Sequence, residues 1–529
     1  METSCRPVDD RGEYRCDTAS GTGSPLGKQL HGLFTGKAAQ ASPFPGFRPM
    51  SHISLPKLAL PPIRGPQLNR IVPVVLAVAL FMENMDSTVI ATSLPAIAAD
   101  IGTSPIALKL ALTSYYVSLA VFIPISGRIA DHWGPKLVFR LAIAVFVVGS
   151  LACAMADSLG AFVVARFLQG MGGAMMTPVG RLLLVRAVPK SDLVGAMAWF
   201  TIPALMGPLI GPPVGGAIAT YADWRWIFLI NLPIGVVGIW LAGRFLPRVD
   251  RVAGVHFDWP GFLLSGFACA GIVFGLSVVS LPALPPAFGV AMALAGAVAA
   301  GLFVRHARRI DQPVLRLSLL RITTLRAAVT GGALFRIGSG AVPFLLPLML
   351  QLGFGYTPLE SGLVTCVAIG GAMAMKLLAK PILQRFGFRT TLVVTTIVGG
   401  ALTAALGLYR PDISLAVLIP LLLVGGFFRS LFFTSINALA FADVPRESTG
   451  DATAMMGALQ QVAIATGVAL AGAVLEVGMV MSGRDLAAPM DFSAAFFVVG
   501  LVTMSAAFAF IPMGREAGSE VSGRRVPAE

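Results

Sequence analysis

Charged residues are scarce in this 529-residue chain: Asp, Glu, Lys and Arg together make up 12%, whereas hydrophobic residues make up 56%. The mean hydropathy is +0.81. A chain this apolar cannot fold around a single core bounded by water. Its length is therefore better counted in membrane spans of about 20 residues each than in soluble domains.

Cysteine and histidine are also few, at five residues each. No two cysteines form a CxxC pair, and three lie in apolar stretches, as is typical of small core residues. All five histidines fall in loops or in the N-terminal segment. The sequence therefore predicts neither a disulfide framework nor a metal site, and it argues against a membrane-buried histidine relay.

Motifs of common enzymes are missing as well, since the chain contains no GxSxG, HExxH, Walker A or GxGxxG sequence. The net charge of +13 comes from basic residues in short loops, and no aromatic-plus-basic module of nucleic-acid type accompanies it. We therefore expect no enzyme, no cofactor and no nucleic-acid partner. The lipid bilayer is the partner that the composition requires.

What the chain does contain is fourteen apolar stretches between residues 71 and 512, each long enough to cross a bilayer. Every second connecting loop is rich in Arg and Lys, which predicts that both termini are cytoplasmic. An odd number of spans would break this alternation. The Ala- and Gly-rich composition hints at a bacterial inner membrane as the location.

An internal repeat divides the membrane part. GRIADHWGPK (127–136) and KPILQRFGFR (380–389) each lie between two spans, and Gly134 and Gly387 correspond at the same offset as Gly102 and Gly355. Parallel repeats of this kind indicate alternating access, with the substrate site between the halves. The predicted organisation is a disordered cytoplasmic segment (1–66), a six-helix half (67–250), two extra linker helices (251–310), a second six-helix half (311–513) and a cytoplasmic tail (514–529).

The loop GRIADHWGPK resembles the signature between helices 2 and 3 of the major facilitator superfamily. Its glycines permit a tight turn and close helix approach. Asp131 can cap a helix or pair with a cation on the inner face. The resemblance implies an all-α major facilitator fold and a conformational latch formed by Gly127, Asp131, Gly134 and Lys136.

A second motif, ARFLQGMGG (165–173), places Arg166 and Gln169 on one helical face. An arginine inside a span usually faces a partner or water, although one near a helix end can instead extend to the headgroups. Drug:proton antiporters of the superfamily have an R-x2-QG pattern here. The resemblance implies that Arg166 takes part in proton coupling.

A third motif, GPLIGPPVGG (207–216), is rich in glycine and proline, which alone would indicate a kinked, closely packed helix. It also resembles the antiporter signature of the drug-efflux branch, and DWRWIFLINLP (223–233) resembles the fourteen-helix subfamily. The residues that match the signature are Gly207, Gly211, Pro212, Gly215 and Gly216.

A fourth motif, FMENMDSTVIATSLP (81–95), contains two acids three residues apart, on one side of the first span. Carboxyl groups in hydrocarbon favour the neutral form, so this pair could bind and release a proton. Structural hydrogen bonding is the alternative. Asp86 matches the family pattern and Glu83 is an additional acid, so we rank Asp86 first as the proton-coupling residue.

Several large or polar side chains near these motifs are candidates for a substrate cavity. The alternative for each aromatic or methionine is packing or contact with lipid, and Lys376 can extend towards the inner surface. Arg336, near the position that repeats Asn84, could oppose the acids or bind an anionic group. The candidates are Phe81, Met82, Tyr116, Gln169, Trp199, Arg336, Phe344 and Arg429.

Together these features predict proton-coupled efflux of amphipathic or hydrophobic small molecules, driven by the proton gradient. An exporter or importer of one specific metabolite within the same superfamily is the alternative. Relatives can work with a periplasmic adaptor and an outer-membrane channel. The sequence has no docking element that would establish such partners, and it identifies neither the substrate nor the oligomeric state.

Overall fold

The computed structural model describes residues 5–7, 14–16, 68–189, 192–247, 249, 251, 257–279, 285–484, 486–514 and 516–522. The chain divides into a unit of residues 1–62 and a unit of residues 63–529. In the first unit, strands β1 (Cys5–Pro7) and β2 (Tyr14–Cys16) pair antiparallel. The rest of the segment that we predicted to be disordered lies outside the described residues, as do the tail residues 523–529.

Every regular element in the described part of the second unit is helical. The first repeat contains α1 (Leu68–Val89), α2 (Leu94–Asp100), α3 (Lys109–Trp133), α4 (Pro135–Ala154), α5 (Leu159–Ala187), α6 (Leu193–Tyr221), α7 (Trp226–Leu229) and α8 (Asn231–Phe245). The linker contains α9 (Trp259–Val278) and α10 (Pro286–Ala307). The second repeat contains α11 (Thr323–Leu348), α12 (Pro358–Leu406), α13 (Leu415–Ala440), α14 (Thr449–Met481), α15 (Pro489–Ser505) and α16 (Ala507–Phe510), followed by α17 (Ser519–Ser522). Short 3-10 turns cover Ile90–Thr92, Leu317–Arg321 and Arg446–Ser448, and Met349–Gly353 form one π-helical turn.

Thirteen helices of the described residues are long and apolar enough to cross a membrane. One of them, α12, has 49 residues, which at about 1.5 Å per residue is more than twice the thickness of a bilayer core. Its backbone leaves the helical region at Gly387 (φ 72°). The helix therefore holds two spans, and the predicted all-α fold with fourteen membrane helices is confirmed.

The repeat is visible in the backbone at its tight turns. Gly134 (φ 92°) separates α3 from α4, and Gly387 occupies the corresponding position within α12. Gly102 (φ 68°) and Gly355 (φ 72°) form a second matching pair. Only glycine adopts these positive φ values without strain, which explains why the glycines of the two halves correspond.

The two linker helices pack closely on each other and touch both halves. A side chain at Gly271 of α9 would meet the Gly296 backbone of α10 at 2.8 Å. Val273 of α9 packs in one apolar cluster with Val121 of α3 and Ala465 of α14. The linker pair therefore lies against one helix from each repeat.

Asp258 caps α9 and ties it to the end of α10. Its carboxylate accepts hydrogen bonds from the Gly261 amide (2.9 Å) and the Val314 amide (3.2 Å), and its Oδ1 lies 2.7 Å from His306 Nε2. Partial burial raises the pKa of Asp258, but these hydrogen bonds outweigh it and hold the pKa below its usual range. The cap is therefore anionic at neutral pH.

The two halves are joined most firmly at the end of the bundle where α3 begins, which we call the Lys109 end. There the Lys109 ammonium lies 2.5 Å from Glu476 of α14. The Gln351 side-chain amide donates to the Thr92 carbonyl at 2.9 Å, and the Leu359 amide donates to the Thr220 hydroxyl at 3.2 Å. At the opposite end, where Gly134 lies, Arg128 Nη2 donates to the Pro313 carbonyl at 2.7 Å, but no ion pair joins the halves within the part of the chain that the structure describes.

Candidate functional site

Asp86 is the centre of a polar cluster inside the first half. Its Oδ2 accepts a hydrogen bond from Arg166 Nη1 at 2.7 Å, and the two groups form an ion pair. Its Oδ1 accepts from the side-chain amides of Gln169 (2.8 Å) and Asn231 (3.0 Å). Two helices, α5 and α8, thus supply three donors to the Asp86 carboxylate, so its negative charge is well compensated.

A second layer closes this cluster. The Ser150 hydroxyl on α4 accepts from Gln169 (2.8 Å) and Asn231 (3.3 Å). The Arg166 guanidinium also lies over the Tyr115 ring, 4.3 Å from its centroid. All members of the cluster are at most 1% exposed: Asp86, Tyr115, Ser150, Arg166, Gln169 and Asn231. The cluster therefore joins α1, α3, α4, α5 and α8 through groups that are costly to leave unpaired in a low-dielectric interior.

Glu83 lies one turn away from Asp86 on α1 and has a different environment. It is half-buried, accepts a hydrogen bond from the Thr177 hydroxyl at 2.8 Å and lies against Gly173. Among the described residues it forms no ion pair. Both acids thus face α5, as their spacing indicates, but only Asp86 has a cationic partner in this conformation.

The same contacts decide between the two interpretations of Arg166. An arginine that extended to the headgroups would expose its guanidinium, whereas Arg166 is 1% exposed and bonded to Asp86 and Gln169. Sequence reasoning missed Ser150 and Asn231. An amide side chain inside an apolar span is a signal that could have identified Asn231, but a serine in a membrane helix is too common to be informative.

The glycines of the third motif allow α6 to pack directly against α1. A Cβ at Gly207 would meet the Met85 amide at 2.8 Å, one at Gly211 would meet the side chain of Thr88, and one at Gly215 would meet the Val89 carbonyl. These three glycines, four residues apart, lie on the face of α6 that covers the helix bearing Asp86.

The same motif also contacts the second half. A Cβ at Gly216 would strike the Pro358 carbonyl of α12, and one at Gly362 of α12 would strike the Pro212 carbonyl. The motif therefore links α1 on one side to the junction of the halves on the other. Because α6 contacts both α1 and α12, it is the single helix that separates a movement of α1 from the second half at this point.

Replacing Gly215 by Ala is expected to destabilise the protein by about 1–3 kcal/mol, because the added methyl group overpacks a backbone contact. The intrinsic helix preference of Ala over Gly, about 1 kcal/mol, acts in the opposite direction and is the smaller effect. Thermal unfolding in detergent measures the change. Gly195→Ala is the matched control on the same helix, since a Cβ there meets nothing within 4 Å. Equal melting temperatures for the two variants would contradict the packing role.

The residues of the predicted latch form contacts within the first half. Asp131 accepts a hydrogen bond from Arg186 of α5 at 2.7 Å, and the Lys136 ammonium donates to the Leu246 carbonyl at 2.5 Å. Gly134 forms the turn, whereas a Cβ at Gly127 would meet nothing within 4 Å. In this conformation the loop is therefore held to the ends of α5 and α8, and Gly127 makes no close approach.

The residues predicted to line a substrate cavity differ in burial and in their neighbours. Gln169 belongs to the Asp86 cluster, and Met82 and Phe344 are each 1% exposed within apolar clusters. Trp199 is 53% exposed, and Phe81, Tyr116 and Arg429 are half-buried. Arg336 is 3% exposed on α11, and Arg429 on α13 lines a cavity within the second half. The structure does not bring these residues into one site.

A bundle of this architecture, with two repeats joined at one end and an ion pair buried in one of them, defines a multi-pass membrane transporter. The family model of the Major Facilitator Superfamily matches residues 76–324 and 328–527. The chain belongs to this superfamily.

A curated relative supports the family that the sequence motifs indicate. The chain is 37% identical to a protein from Salmonella heidelberg (strain SL476) named "Putative multidrug resistance protein MdtD", over 76% of this chain and 85% of the relative. The predicted resemblance to the fourteen-helix drug:proton antiporters is thereby confirmed.

Two solved structures share the fold alone. A D-xylose–proton symporter matches with a TM-score of 0.62 at 15% identity, over 85% of this chain and 98% of that one. An autoinhibited peptide transporter of the POT family matches with a TM-score of 0.60 at 15% identity, over 88% and 98%.

Proposed function

We propose that the protein exports amphipathic or hydrophobic small molecules across a bacterial inner membrane in exchange for protons, and that it is not an enzyme. The observation that carries this proposal is the fully buried Asp86–Arg166 pair, packed one helix away from the junction of the halves. The name of the Salmonella relative, a multidrug resistance protein, supports efflux as the direction.

Protonation of Asp86 is the step that couples the proton to movement. A neutral carboxylic acid no longer compensates the Arg166 guanidinium, and an uncompensated buried charge costs about 3–5 kcal/mol. The cluster must then rearrange, either by moving Arg166 towards Glu83 or by opening to water. Because the cluster joins α1 to α4, α5 and α8, such a rearrangement changes the packing of α1 against the Gly207–Gly215 face of α6.

The basic loops orient the protein with both termini in the cytoplasm, so the Lys109 end faces the periplasm. The conformation described here is then closed towards the periplasm. The membrane potential favours the inward movement of each proton by about 2.3 kcal/mol per 100 mV. Proton binding and substrate binding alternate during the transport cycle, so the inward passage of the proton drives the outward passage of the substrate.

The proposal is tested by transport in everted membrane vesicles. In a panel of amphipathic dyes that differ in charge, the dyes that are substrates are expected to accumulate inside such vesicles when respiration acidifies their lumen, and to leak out when a protonophore is added. Vesicles without the protein are the control. Accumulation that ignores the protonophore would contradict coupling, and accumulation in right-side-out vesicles only would identify an importer.

A further inference from the structure

Among the residues that the structure describes, the second half contains a buried cation, Arg336, with no acidic partner. Arg336 on α11 is 3% exposed, and its Nε has no hydrogen-bond partner within the described part of the chain. No carboxylate there lies within ion-pairing distance of its guanidinium. An arginine at membrane depth normally binds a partner or faces a substrate pathway. The described partner of Arg336 is the uncharged Phe433 ring, so no described group neutralises its charge.

The acids in the membrane spans of the second half are all engaged elsewhere. The described ones are Glu360, which caps its own helix, Asp451, which pairs with Arg316, Glu476, which pairs with Lys109, and Asp491, which pairs with Arg484. None of them is free to neutralise Arg336. The first half differs, because its spans contain Glu83, Asp86 and Asp131, and among the described residues Asp86 and Asp131 form ion pairs whereas Glu83 does not.

Arg336 adjoins an aromatic cluster that borders a cavity. Its guanidinium carbon lies 5.0 Å from the centroid of the Phe433 ring, and Phe433 packs edge-on against Phe335 with the centroids 5.6 Å apart. Phe335 lines the cavity of the second half together with Ser339 and Arg429. Arg429 also forms no ion pair within the described residues. Arg429 thus lines the cavity itself, and Arg336 contacts Phe433, the ring that packs against the cavity-lining Phe335.

We propose that Arg336, with Arg429, binds the carboxylate of the transported compound, so that the substrates are amphipathic organic acids. A guanidinium presents two parallel N–H donors that match the two oxygens of a carboxylate. The phenylalanine rings contact the apolar body of the substrate. This inference rests on the proposed export function, and it narrows the substrate class from amphipathic compounds in general to anionic ones.

The charge of the substrate also affects the energetics of exchange. Export of an anion against one proton moves two positive charges inward per cycle, whereas export of a neutral compound moves one. The membrane potential therefore drives the acid more strongly than its ester. The transported acid is expected to respond more steeply to an imposed potential than an uncharged analogue of the same shape.

A pair of matched probes tests the site by binding, independently of transport. N-dansyl-phenylalanine has a free carboxylate, and its methyl ester lacks only the charge. Fluorescence titration of the purified full-length protein is expected to show binding of the acid at least about tenfold tighter than the ester, the ratio that one charge-assisted hydrogen bond provides. Arg336→Gln should remove this preference and leave ester binding unchanged.

Arg326→Gln is the matched control, because Arg326 is exposed on the same helix. Arg336→Lys keeps the positive charge but lacks the two parallel donors of the guanidinium, so it should retain part of the preference for the acid over the ester. Melting curves verify that each variant is folded. Equal affinities of acid and ester for the wild type, or equal loss of both in Arg336→Gln, would overturn the proposal. If the acid binds through Arg336 but is not transported in proteoliposomes, the export function fails while the binding site stands.

Discussion

Replacing Asp86 by Asn is expected to reduce proton-driven substrate exchange to the level of empty liposomes. Asn can neither bind nor release a proton, so position 86 is fixed in the neutral state. The same change removes the counter-charge of Arg166, which is 1% exposed and 2.7 Å from the carboxylate. We therefore also expect a loss of stability of about 3–5 kcal/mol. Proteoliposomes with an imposed pH gradient measure the exchange, and chemical unfolding measures the stability.

A double variant separates the two effects. Asp86→Asn with Arg166→Gln removes both charges, so it should recover much of the stability, since no buried charge is left uncompensated, but none of the coupling. Glu83→Gln is the comparison for the second acid, whose described contact is with Thr177 rather than with a cation. If Asp86→Asn exchanged protons for substrate at the wild-type rate, Asp86 would be excluded as the coupling residue. A loss of coupling in Glu83→Gln alone would transfer that role to Glu83.

The sequence was sufficient for the fold because the bilayer imposes simple rules on it. Span length, alternating loop charge and the matching glycines at 134 and 387 all have direct physical causes in the bilayer and the backbone. The single departure from a clean count of spans, the 49-residue α12, breaks at the glycine that the repeat identifies.

The site was only partly predictable. Asp86 and Arg166 were predicted to couple the proton from their charge inside apolar spans and from the family resemblance, and the structure brings them together at 2.7 Å. That Asp86 bonds to Asn231, 145 positions later in the chain, depends on how α8 packs against α1, which local patterns do not encode. The cavity candidates Met82 and Phe344 lie in packed clusters. The sequence could not predict this, because the identity of an apolar side chain does not show which face of its helix is covered.

Lys109 and Glu476 were overlooked for a related reason. Lys109 lies at the start of α3 and Glu476 lies near the end of α14. Charged residues at helix ends are common, so neither residue was singled out in the sequence. Their partnership spans 367 positions and joins the two halves. Pairs between halves are the part of a transporter that changes during alternating access, so no single helix pattern specifies them.

Neutralising either member of this pair is expected to destabilise the protein by about 3–5 kcal/mol and to loosen the Lys109 end. The side chains are 0% and 6% exposed, and the Lys109 stem lies across Gly472, so little water can replace a lost partner. The double variant Lys109→Met with Glu476→Leu should recover most of the stability, because apolar groups of similar size need no compensation. Unfolding by denaturant of the two single variants and the double variant gives the coupling energy of the pair.

The exposed pair formed by Asp100 and Arg225 is the control at the same end of the bundle. The hydrogen bond from Arg225 holds the pKa of Asp100 below its usual value, yet both side chains are accessible to water, so Asp100→Asn should leave the unfolding free energy unchanged. Spin labels test whether the halves part at the Lys109 end. They are placed at Ser104 and Ser482, which are exposed in the two halves near this end. In Lys109→Gln the distance distribution should shift to longer values, since Glu476 is hydrated only when the halves part. An unchanged distribution together with the lost stability would mean that the pair stabilises the fold without controlling the opening.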